Sequence, residues 1–119
     1  MTLTEVQSRT TKTASFTGSG LDVSGITGDW TIKFQLESLT AAKQARFTFE
    51  DTITDYTASL AGPTINFKGE TEKSYDRVKS FKKQDFPGLR LGVASAQLRL
   101  KLSDMDSGAT AIYRSWLEY

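Results

Sequence analysis

The chain has no cysteine and no histidine among its 119 residues. The first absence excludes disulfides, thiolate metal sites and cysteine nucleophiles. The second removes the commonest general base and the commonest metal ligand. Together they leave no means of building a Ser-His-Asp or Cys-His arrangement. No run approaches the roughly 20 apolar residues of a membrane helix. The opening MTLTEVQSRTTKT is polar and lacks the apolar core of a secretory signal. The expectation is a soluble protein made in the cytoplasm, with no membrane partner. Neither sign of charge dominates, since 15 basic and 14 acidic residues leave +1. No global field therefore draws the chain to nucleic acid.

What is present suffices for one packed core. Hydrophobic residues make up 38% of the chain, with seven Phe, four Tyr and two Trp, and the length suits one domain. Lacking disulfides, such a domain must hold by packing or by association with neighbours. Period-two alternation dominates. Trp30, Ile32, Phe34 and Leu36 point one way while Thr31, Lys33 and Gln35 point the other, the pattern of a half-buried strand. Ala45, Phe47 and Phe49 repeat it, as do Ile65 with Phe67, and Ala96, Leu98, Leu100 with Leu102. The run Thr110–Tyr119 carries bulk on both faces, Ile112 and Trp116 on one, Tyr113, Leu117 and Tyr119 on the other. Weaker strands are expected near Thr11–Thr17 and Ser74–Phe81.

Turn signals separate these runs: Gly62-Pro63, Pro87-Gly88 and Asp106-Ser107-Gly108. Phe86–Leu89 suits a type II turn, with Pro87 setting φ and Gly88 accepting a positive one. Sixteen Thr residues favour strands over helices. Ser38–Ala45 fits either two helical turns or a strand-connecting turn. The expectation is all-β: a single-domain, antiparallel, jelly-roll-like β-sandwich of seven to eight strands. Residues 1–10 read as an extended N-terminal arm and residues 11–119 as the sandwich.

Candidate chemistry is sparse. Glu50, Asp51 and Asp55 could supply the paired carboxylates of a glycosidase, but they read as a solvated loop with turn-forming Asp. Asp104–Gly108 opens like a calcium loop, yet Gly108 falls at its fifth position and Ser115 at its twelfth, so the ligand pattern fails. A hairpin turn explains it better. Gly18-Ser19-Gly20 lacks the following Lys-Ser/Thr of a phosphate loop. From Lys73 to Lys101 eight Lys/Arg face two Asp, with Tyr75, Phe81 and Phe86 interleaved. Single-strand binders look like this, but near-neutrality overall makes an acidic protein surface the better partner. No catalytic, cofactor-binding or metal-ligating residue is assigned, and no cofactor is expected.

The segment SFTGSGLDVSGITGDWTIKFQLE (Ser15–Glu37) resembles the opening of laminin-G and concanavalin-type jelly rolls, and AQLRLKLSDMDSGATAIYRSWLEY resembles their last hairpin. That resemblance implies a carbohydrate-binding or adhesin-type module as the alternative function. By type, a small Thr-rich sandwich without Cys or His and with a polar arm resembles the decoration, or cement, proteins of tailed-bacteriophage capsids. That likeness implies a non-enzymatic virion component that binds neighbouring subunits or itself. In that reading Leu3 and Val6 fill pockets on a neighbour, Lys79, Lys82 and Lys83 meet acidic surface, and Trp116 joins the contact.

Overall fold

The alternating stretch after Trp30 forms the strand around which the molecule is built. The computed structural model describes residues 1–53, 64–68 and 78–119. It contains β1 (Leu3–Lys12), β2 (Phe16–Thr17), β3 (Leu21–Asp22), β4 (Thr31–Leu39), β5 (Gln44–Asp51), β6 (Thr64–Lys68), β7 (Val78–Lys82), β8 (Gln97–Ser103) and β9 (Ala111–Glu118). In β4, Ile32, Phe34, Leu36 and Leu39 turn inward, while Thr31, Lys33, Gln35 and Glu37 lie on the outer side. The period-two reading of the sequence fixes these faces.

All pairs are antiparallel, in two sheets ordered β1-β9-β4-β7 and β2-β8-β5-β6, with β3 also on β8. Because β2 and β3 share β8, they act as one interrupted strand, which makes eight among the described residues. The pairs then nest: β1 with β9, β2 and β3 with β8, β4 with β7, β5 with β6. This is one long antiparallel ribbon folded back on itself. Rolling it brings β4 against β9 and β5 against β8, the jelly-roll form of the β-sandwich. Among the described residues no helix is long and apolar enough to cross a membrane.

Of the two alternatives for Ser38–Ala45 the strand-connecting turn is the one formed: β4 ends at Leu39, β5 begins at Gln44, and a turn joins them. Three local expectations need correction. Asp104–Gly108 is not a hairpin turn, because β8 and β9 belong to different sheets. It is an arch, and it runs beside the β4–β5 arch. The Thr110 N–H donates to Thr40 Oγ1 at 2.9 Å, and the Gln44 N–H donates to Asp106 Oδ2 at 2.9 Å. Phe86–Leu89 does turn, with the Leu89 N–H on the Phe86 carbonyl at 3.1 Å. Yet the only described glycines with positive φ are Gly92 and Gly108, so the turn is not type II. Finally, residues 3–10 are not a free arm but most of β1, and the boundary expected after residue 10 falls inside that strand. Ser74–Tyr75 and Gly62-Pro63 lie outside the described residues.

Between the sheets the aromatic rings interlock. Phe34 lies 4.9 Å from Phe47 and 5.9 Å from Phe67, centroid to centroid, and Phe47 lies 4.8 Å from Tyr113. These tilted and edge-on contacts suit aromatic quadrupoles. Trp30, Ile32, Phe34, Phe47, Phe49, Leu98 and Leu100, the expected core, are all buried. Phe34→Ala would leave a cavity that rigid β-strands close poorly. It should cost about 3–5 kcal/mol, read as a lowered urea midpoint with unchanged slope.

Candidate functional site

The outer face of the four-stranded sheet collects three of the six residues expected to bind a partner, Leu3, Lys82 and Trp116. Cross-strand register sets this. Leu3 pairs with Glu118, Glu118 with Thr31, and Thr31 with Lys82. Directly opposed residues share a face, so Leu3 and Lys82 stand on one row, three strand spacings or about 14 Å apart. The next row runs Glu5, Trp116, Lys33, Ser80. Leu3, Glu5, Gln7, Arg114, Ser115 and Trp116 line a hollow of about 190 Å³.

Electrostatics on this face are balanced and local. The Arg114 guanidinium lies 4.7 Å from the Trp116 ring centroid, a cation–π contact. Lys33 Nζ lies 3.4 Å from Glu118 Oε2, and Arg9 pairs with Glu37 across β9. Trp116 is partly buried between these groups. Leu3 is 61% exposed. Arg114, Lys33 and Glu5 were missed as neighbours of Trp116. Arg114 was within reach of the sequence, standing two residues from Trp116 and therefore on its face; the others needed the register.

The remaining expected contacts go elsewhere. Val6 is 6% exposed and belongs to this chain's own core, so it has no side chain to offer a neighbour. Pairing β1 to β9 turns it inward. Lys79 opposes Phe34 in β7, placing it on the inner side, with Nζ 5.8 Å from the Phe67 centroid. Lys83 leaves the sheet in a 3-10 turn at Lys83–Asp85 and donates from Nζ to the Gly28 carbonyl at 3.3 Å. There it borders a hollow of about 380 Å³ with Asp29, Gln84, Phe86, Pro87 and Leu89.

Glu50 and Asp51 are not in a solvated loop. β5 continues through Glu50 and Asp51, which are 8% and 0% exposed. As consecutive strand residues they face opposite sides of the sheet and do not converge as an acid–nucleophile pair. Glu50 lies on the outer side, 3.2 Å from Arg99 and 3.9 Å from Lys101. Asp51 turns in and accepts the Ile53 N–H and the Arg90 N–H, each at 2.8 Å. It thereby ties the loop before β8 to the end of β5. Asp55 lies outside the described residues. Comparison with protein-family models, with curated proteins and with solved structures finds no match to this chain.

Two buried polar groups generate tests. Asp51→Asn replaces one acceptor oxygen by a donor facing an N–H. It should cost about 1–3 kcal/mol and speed amide hydrogen exchange at Ile53 and Arg90 before the core strands respond. Tyr113 is fully buried, its hydroxyl has no partner among the described residues, and burial pushes its pKa up to about 12. Between pH 10 and 12 the folded chain keeps a proton that the unfolded chain has lost, so stability falls as pH rises. The loss should total about 2–3 kcal/mol. Tyr113→Phe should remove that alkaline slope and, by deleting an unpaired hydroxyl, raise neutral-pH stability by roughly 1 kcal/mol.

Proposed function

We propose that this protein is a non-enzymatic assembly component, a virion protein of the decoration type, that attaches through the outer face of its four-stranded sheet. The observation carrying this reading is that Leu3, Trp116 and Lys82 share that face. An exposed aliphatic, an aromatic anchor and a cation on one sheet surface supply the apolar and charged groups that protein interfaces use, with Lys82 at one rim. The jelly roll supports it by analogy only, because capsid and lectin domains share the architecture.

The carbohydrate-binding alternative has less behind it. Sugar platforms need exposed aromatic faces, and of the two tryptophans Trp30 is core while Trp116 has Arg114 over its ring. The test is attachment. The chain should travel with particles purified on a density gradient from lysates of the producing host. Trp116→Ala and Lys82→Glu should each leave it folded by circular dichroism and return it to the soluble fractions. A chain that never enters the particle fractions, or enters them equally with both substitutions, sinks the proposal.

A further inference from the structure

The open edge of β1 carries information that the outer face does not. Among the described residues β1 is the longest strand, ten residues, and ends its sheet. Among the described residues nothing pairs with its second edge. Such an edge is a template for another strand, and proteins commonly blunt it with proline, lysine or short length. β1 is long, has no proline, and keeps its one lysine, Lys12, at its last position. We infer that this edge docks a second copy of the chain, β1 to β1 antiparallel, about a two-fold axis through Gln7. The two four-stranded sheets would join as one of eight strands.

Charge and face select this register. With Gln7 on the axis, Glu5 of each copy opposes Arg9 of the other, so two ion pairs form. Leu3 opposes Thr11, and Thr4 opposes Thr10. The faces agree in every pair. Leu3, Glu5 and Thr11 lie opposite the outward Glu118, Trp116 and Ile112, and Arg9 reaches the outward Glu37. Thr4 and Thr10 lie opposite the inward Leu117 and Tyr113. Moving the axis to Val6 or Ser8 loses both ion pairs, and moving it to Glu5 or Arg9 sets like charges together. The strand's two irregularities, between Glu5 and Gln7 and between Gln7 and Thr10, flank the axis. Each copy's first bulge thus meets the other's second, as an isologous contact requires. Glu5 has no ion-pair partner among the described residues. Arg9 already holds Glu37, but a guanidinium has donors for two carboxylates.

The inference does not rest on the attachment reading, since it concerns an edge rather than a face and is read by oligomeric state. Sedimentation velocity on the intact chain should show a dimer that weakens as salt rises. Glu5→Arg and Arg9→Glu should each weaken it by roughly tenfold or more, with circular dichroism unchanged. Mixing the two variants should restore the dimer, because opposite charges then face each other at both positions. A wild-type chain that stays monomeric at millimolar concentration overturns the inference. So does a dimer indifferent to both substitutions, or a mixture that fails to recover.

Discussion

Everything in this molecule hangs on the seam between β4 and β9. The nested ribbon by itself leaves its first and last strands at one margin. Only when β4 takes β9 as a second neighbour do two layers face each other around one core. The seam holds because its rows agree: Ile32 opposes Leu117, Phe34 opposes Ser115, Leu36 opposes Tyr113. Small Ser115 leaves Phe34 room to reach the rings of the other sheet, and its own buried hydroxyl donates to the Lys33 carbonyl at 2.6 Å. A larger residue there would crowd Phe34, while an unpaired hydroxyl would incur a desolvation cost. The pairing of a large with a small partner is what lets one aromatic side chain knit both sheets.

The same seam determines what the surface can offer. With β9 internal, the C-terminal strand shows only its outer side, and Ile112, Arg114, Trp116 and Glu118 become surface together. The N-terminal strand is pushed to the edge, where Val6 sinks into the core and Leu3 stays out. The outer face and the β1 edge are therefore consequences of the fold's closure rather than separate features. Their chemistry differs accordingly. The face is read by side chains alone, whereas the edge adds backbone hydrogen bonds that any strand can make and leaves specificity to Glu5 and Arg9.

The core was legible because it depends on period two and little else. Trp30 to Leu36, Ala45 to Phe49 and Ala96 to Leu102 each state their inward face outright. β1 was not legible as part of the sandwich, since Leu3 and Val6 are its only sizeable aliphatics. It is held by its backbone ladder to β9, which leaves no mark on side-chain type. The arch at Asp104–Gly108 has the turn residues of a hairpin, and local composition does not distinguish a strand that returns from one that changes sheets. Asp51 misled for a related reason: Glu50-Asp51-Thr52 reads as loop, but one oxygen of the inward carboxylate serves the backbone of Arg90, 39 positions away. Of the candidate site, Leu3, Lys82 and Trp116 were found as types. Their common face required knowing which strands are neighbours.

The two edges of the four-stranded sheet are not equivalent, and the difference lies in where lysine stands. On β7, Lys79 points to the inner side near Phe67 and Lys82 to the outer side, so both faces of a short edge carry a cation. A second β7 brought alongside would bring only cations and no acid to pair with them, and lysine on an edge is how natural sheets discourage edge pairing. On β1 the inward lysine is Lys12, whose ammonium sits 3.7 Å from the Phe16 ring centroid at the strand's end. The stretch from Leu3 to Thr11 is left with one acid and one base, spaced four residues apart. A like-charged edge offers its copy no antiparallel register that attracts, while an edge with one charge of each sign repels in some and attracts in one. Among the described strands of the four-stranded sheet, guarding β7 and leaving β1 self-complementary directs association to one edge, and a two-fold contact there closes on itself.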